Sequence, residues 1–175
     1  MADKQARLLI ASERAFEHLI RSIAVDPDIR GKWQGAFALG ERACERLGAI
    51  HLLMHGIWAF KVSAPGSETD LVYNEKLSLD ARLMGAVEGL VLTEWKVAKS
   101  EKDALLKLEQ ARAQAKNYAS GALGGGLLQG TRFLPVVTGE QAQLPDDVED
   151  GGVLYRQICI PVSPLSASVA ARAMR

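Results

Sequence analysis

Neither sign of charge dominates this chain. Lys plus Arg and Asp plus Glu both number 21 in 175 residues. That balance excludes the uniformly basic surface with which a strong nucleic-acid binder tracks phosphates, and leaves only a local patch for such contacts. It also lowers the repulsion between copies of the chain. Cysteine is scarce. Cys44 and Cys159 stand alone, in no CxxC and no metal-ligand spacing, which excludes a disulfide scaffold and a cysteine-rich zinc module. Both read as small core residues. No apolar run approaches the roughly 20 residues of a membrane span, so no membrane partner is expected. Met1-Ala2-Asp3-Lys4-Gln5 lacks a basic stretch followed by a long apolar core, so a cytoplasmic location is expected. No G-x-S-x-G elbow occurs, so a Ser-His-Asp hydrolase is not suggested.

What is present fits one domain that buries roughly 70% of its unfolded surface without disulfide or structural metal. Asp3 to Ala24 predicts an amphipathic helix with Leu9, Phe16, Leu19, Ile20 and Ile23 on one side. Asp26-Pro27-Asp28 ends it, and a loop is expected through Gly31. A second helix is expected from about Trp33 to Leu47, closed by Gly48 as a left-handed cap. Ala49 to Met54 and Gly56 to Val62 read as the arms of a hairpin or a bent strand. Glu68 to Tyr73 follows as a strand after the Ala64-Pro65-Gly66-Ser67 turn, Asn74 to Gly85 is ambiguous, and Gly89 to Val97 is a strong strand.

Ser100-Glu101-Lys102-Asp103 opens a helix in the manner of a capping box. That helix is expected to reach Ala119, with Leu105, Leu108, Ala111 and Ala115 inward. Gly121 to Gly130 reads as a flexible glycine-rich loop, Thr131 to Thr138 as a strand, Gln141 to Gly152 as an acidic loop and Val153 to Val162 as a last strand. The order predicts an α/β fold with a mixed central β-sheet flanked by helices, antiparallel in the early hairpin and parallel across the crossover helix. One domain spans 1–175, with an N-terminal helical extension over 1–32, a core over 33–162 and a tail over 163–175.

The chemistry sits in Glu94-Trp95-Lys96 after Gly89-Leu90-Val91-Leu92-Thr93. Residues two apart on a strand share a face, and a charge within so apolar a run is costly unless it is paired or bound to metal. A second carboxylate, Asp70, stands in Thr69-Asp70-Leu71-Val72-Tyr73. A divalent ion between Asp70 and Glu94, with Lys96 beside it, accounts for all three charges, because hard cations take carboxylate oxygens. The Trp95 peptide carbonyl offers a further oxygen. The competing reading of Glu94 and Lys96 is an ion pair on a sheet surface. His51 and His55 flank Leu52-Leu53-Met54 and read as satisfied structural groups, and His18 as a surface helix residue. Trp33, Trp58 and Trp95 read as core or interface.

These residues resemble the PD-(D/E)XK, or restriction-endonuclease-like, nuclease superfamily over roughly Trp33 to Ile160. Asp70 matches its strand Asp, with Thr69 in place of the Pro, and Glu94-Trp95-Lys96 matches its D/E-x-K. Glu41, or secondarily Glu45, matches its Glu on the first core helix. Gln114 followed by Tyr118, or Gln110, matches its Gln on the helix after the D/E-x-K strand.

The resemblance implies an α-β-β-β-α-β-β core with an extra N-terminal helix, and Mg²⁺- or Mn²⁺-dependent cleavage of nucleic acid, DNA before RNA. Asp70 and Glu94, with the Trp95 carbonyl, would hold the metal. Lys96 would position or activate water, Glu41 would orient a water or complete a second metal site, and Gln114 would place Lys96 or contact the phosphate backbone. Lys99, Lys102, Gln110 and Lys116 would follow the nucleic-acid backbone, although Lys99, Lys102, Lys107, Arg112 and Lys116 also read as a solvated helix face. A homodimer and a protein partner that supplies DNA specificity are further implications. The alternative is a catalytically silent module of the same fold, serving protein interaction or nucleic-acid binding in a defence, mobile-element or repair complex. On the nuclease reading, Lys96→Ala is expected to remove cleavage and leave stability near normal.

Overall fold

Asp26 does more than end the first helix. In the computed structural model of the chain, which describes residues 2–60, 89–116 and 127–164, helix α1 (Ala2–Val25) is followed at once by α2 (Pro27–Leu39). The Asp26 carboxylate accepts from the backbone N–H groups of Asp28 and Ile29 at 2.8 and 3.1 Å, and Pro27 takes the first helical turn, where its missing N–H costs nothing. The loop expected through Gly31 is therefore helix, and a boundary between residues 32 and 33 falls inside α2.

The next break comes at Gly40, whose φ of 104° lies in the region glycine tolerates. Helix α3 then runs Glu41–Met54. This corrects two expectations: Gly48 lies inside a helix and caps nothing, and Ala49 to Met54 is helix in place of strand.

Strands β1 (Ile57–Phe60), β2 (Gly89–Thr93), β3 (Lys96–Ala98), β4 (Leu127–Thr138), β5 (Val148–Asp150) and β6 (Val153–Pro161) form one sheet, with α4 (Glu101–Lys116) between β3 and β4. The sheet order is β1-β2-β4-β6-β5, and β3 pairs β4 beyond the end of β2. β1 pairs β2 in parallel, Ile57 opposite Gly89, so the antiparallel hairpin expected at the first strands is not what they make. β2, β3 and β6 all run parallel to β4, and among the described strands β5 alone is antiparallel, to β6. β5 lies within the expected acidic loop. It is joined to β6 by Gly151 and Gly152, both at positive φ, the backbone that a two-residue hairpin turn needs.

The expectation of an α/β fold with a mixed sheet flanked by helices holds. One face of the sheet carries α1, α2 and α3: Phe16, Leu19, Ile23, Trp33, Cys44 and Leu52 pack there on Val91, Trp95, Phe133 and Ile160. The other face carries α4, with Ala104, Leu108, Ala111 and Ala115 against Leu90, Leu92, Leu134 and Val136. Ala104 takes the inward place expected of Leu105, which is exposed, because residues 104, 108, 111 and 115 share one side at 3.6 residues per turn. β2 is buried along its whole length, as a parallel strand covered on both faces must be. α1 gives five residues to the main core, so it is part of the packed body.

The helix α4 opens as its sequence implied. Ser100 Oγ accepts the Asp103 N–H at 3.1 Å, and the Asp103 carboxylate accepts the Lys99 N–H at 2.9 Å. Among the described residues no helix is long and apolar enough to cross a membrane. Asp70, the expected strand Glu68 to Tyr73, the ambiguous stretch 74–85, Tyr118, most of the glycine-rich loop and the tail from residue 165 lie outside the described residues.

Candidate active site

The run Gly89 to Val97 is interrupted. β2 stops at Thr93 and β3 starts at Lys96, while the Glu94 N–H still donates to the Phe133 carbonyl at 2.9 Å. Alternation survives the break. Leu90, Leu92 and Ala98 belong to the α4 side, and Val91 and Trp95 to the side of α1, α2 and α3. Glu94 and Lys96 thus fall on the parity opposite Trp95, as the strand pattern implied.

Their side chains meet. Lys96 Nζ donates to Glu94 Oε1 at 2.9 Å and to Glu41 Oε1 at 3.2 Å. Glu94 is 0% exposed and Lys96 4%, while the Glu41 side chain is about one-third exposed, at 32%. Glu41 is the first residue of α3, where the unpaired N–H groups and the helix dipole favour a carboxylate. Three separate pieces of chain therefore bring two carboxylates onto one ammonium: the glycine break before α3, the strand break after β2 and the start of β3. A buried ion is tolerated only with such partners.

Trp95 turns to the other side. Its ring lies 6.1 Å from both Phe16 and Trp33 and directly over Gly48. Its indole N–H is buried without a hydrogen-bond partner among the described residues. Trp33 joins it in the core, and Trp58 packs partly buried on the α4 side.

Of the remaining sequence-predicted residues, Asp70 lies outside the described residues. Glu45 is half-buried one turn beyond Glu41 on α3. Gln110 and Gln114 are exposed on α4, as are Lys99 and Lys102 at its start. Lys116 is exposed and ion-paired with Asp150. That contact lowers the Asp150 pKa through a hydrogen bond and the ammonium charge, and ties Lys116 to the turn before β6. Next to the site, burial and then the Glu41 charge push the Cys44 thiol up to about 11.

A second constellation escaped the sequence reading. His18 of α1, His51 of α3 and His55 at the end of α3 come together, with one ring nitrogen from each lying within 4.8 Å of the others. Taking Ala49 to Met54 as strand hid it, because His51 and His55 are neighbours only on a helix, one turn apart. The signal was the four-residue spacing. Burial lowers the pKa of His51 and His55, and the neighbouring histidines add to the effect.

Family models, curated proteins and solved structures were each compared with the chain, and none matches it. The resemblance to PD-(D/E)XK nucleases accordingly rests on the residues themselves.

Proposed function

We propose that this protein cleaves phosphodiester bonds in nucleic acid, DNA before RNA, at a site built on Glu41, Glu94 and Lys96 and charged with Mg²⁺ or Mn²⁺. The supporting observation is the meeting of Lys96 Nζ with both carboxylates, at 2.9 and 3.2 Å. The helix Glu and the E-x-K pair, far apart in sequence, come together as that chemistry needs. The donor set fits a hard cation. Glu94 and Glu41 offer carboxylate oxygens, Mg²⁺ characteristically takes one or two of these, and the partly exposed Glu41 gives access from solvent. Asp70 and the Trp95 carbonyl complete the ligand set in this proposal. When bound, the ion supplies positive charge to the phosphoryl oxygens.

The chain's own groups do the rest. Lys96, released from one carboxylate, donates to a phosphate oxygen where negative charge builds up as water attacks phosphorus. Glu41 accepts a hydrogen bond from that water and orients it in line with the departing ester oxygen. Gln114 positions the phosphate backbone, and Lys99, Lys102, Gln110 and Lys116 contact it further along. A homodimer and a specificity-giving protein partner belong to the same proposal.

The ion pair itself favours one second reading, a catalytically silent module. An ammonium between two buried or half-buried carboxylates compensates their charge without metal. The two readings part on one experiment. The purified chain is incubated with supercoiled plasmid and with single-stranded DNA in Mg²⁺ or Mn²⁺, beside Glu41→Gln and Lys96→Ala, each checked for folding by circular dichroism. Metal-dependent cleavage by wild type, lowered at least about 100-fold in folded variants, supports the nuclease. Equal cleavage by all three removes these residues from the mechanism, and no cleavage by any of them favours the silent module.

A further inference from the structure

We infer that His18, His51 and His55 form a binding site for one transition-metal ion, zinc foremost, that clamps α1 to α3. This site is separate from the acidic one. His51 lies ten residues along α3 from Glu41, or about 15 Å at 1.5 Å per residue, and its ligands are soft enough for Zn²⁺ where the carboxylates suit Mg²⁺.

Four observations converge on it. The first is donor type and number: three imidazoles, each offering one nitrogen, all within 4.8 Å of one another. Zinc sites with an open position use three protein ligands, with Zn–N distances of about 2.0–2.1 Å, so ligand nitrogens around a tetrahedral ion sit about 3.4 Å apart. His18 Nδ1 and His55 Nε2 are 3.0 Å apart, and closing the third side takes a shift on the order of 1 Å. His18 is exposed, so its side chain has room to adjust to an ion.

The second observation is the outer contact of His51. Its Nε2 lies 2.9 Å from the Ala15 carbonyl. An N–H donated there fixes the tautomer and leaves the lone pair on Nδ1, the arrangement in which a metal-bound imidazole is held by a backbone carbonyl. The third is placement. His51 occupies the last turn of α3 and His55 is its C-cap, where the unpaired carbonyls carry the negative end of the helix dipole and favour a cation. The fourth is mutual packing. The ring centroids lie 4.8 to 5.5 Å apart in all three pairs, so the three rings form one compact group.

Because His18 comes from α1 and the other two from α3, an ion held by all three joins the helices where they pack on the sheet. Three protein ligands leave the fourth position on the exposed His18 side, open to water or a small anion.

The test uses the full chain free of any polyhistidine tag, stripped with chelator and titrated with Zn²⁺ against a chromophoric competitor. Co²⁺ serves as a spectroscopic substitute. The expected result is one equivalent of Zn²⁺ bound, intense visible bands of tetrahedral Co²⁺, and a thermal midpoint raised by about 5–10 °C at a hundredfold excess over Kd. His18→Ala and His55→Ala, both clear of the Ala15 contact, should each weaken binding about 100-fold or more while circular dichroism stays unchanged. Glu41→Gln should bind Zn²⁺ as wild type does. No stoichiometric binding, or equal binding by His18→Ala and His55→Ala, overturns the inference. Neither result depends on whether the chain cleaves nucleic acid.

Discussion

Gly48 and Trp95 occupy what would otherwise be the same space. A Cβ built on Gly48 falls 2.0 Å from Trp95 Cζ2, closer than any non-bonded carbon pair can sit. The missing side chain lets the indole lie on the backbone of α3, and Phe16 and Trp33 hold the ring from other sides. Trp95 is fully buried, so it has nowhere to retreat. Gly48→Ala is therefore expected to destabilise the fold by about 3 kcal/mol, the upper range for overpacking, despite the better helix propensity of alanine. Urea unfolding checks this. A midpoint equal to or above that of wild type would contradict the packing described.

Burial of the acidic site alters the expectation for Lys96→Ala. A solvated lysine could be removed at little cost, but Lys96 faces a fully buried carboxylate at 2.9 Å. Taking the ammonium away should cost about 3–5 kcal/mol, as for one half of a buried pair. The double variant Glu94→Gln/Lys96→Met should recover part of that loss, since no charge then remains to be compensated at either position. Denaturant curves of the single and double variants measure the coupling. Additive losses would mean that the pair is not energetically joined.

Alkaline pH should expose Cys44. Its thiol is held up to about 11, first by burial and then by Glu41, so the folded state binds the thiol proton more tightly than the unfolded one. This stabilisation is complete below the ordinary thiol range and is lost as pH rises through about 11. Between those limits the wild type should lose on the order of 2 kcal/mol more than Cys44→Ala. Urea midpoints measured at several pH values compare the two. Parallel pH profiles would exclude a contribution from this thiol.

Local chemistry made much of the framework legible. The period of apolar residues gave α1 and α4, the Ser100–Asp103 cap gave the start of α4, the apolar run from Gly89 gave β2, and short apolar-rich segments bounded by turn residues gave β6 and β4 from Thr131 onward. The amphipathic pattern was misread where two helices abut. Asp26-Pro27 stops one helix and also starts the next, since an N-cap Asp and a Pro in the first turn are start signals as strong as the stop. Ala49 to Met54 looked like strand because a short apolar run has no decisive period.

Local sequence is enough to say which residues carry charge inside the fold. The apolar flanks of Glu94 and Lys96 meant that they had to find partners, and alternation put them on one face. The identity of those partners is set by the packing of distant elements. Glu41 is 55 residues from Lys96, and His18 is 37 from His55. No local rule links positions so distant. His18 and His55 meet because α1 and α3 bury their apolar sides on one face of the mixed sheet, and Glu41 meets Lys96 because α3 opens beside the start of β3.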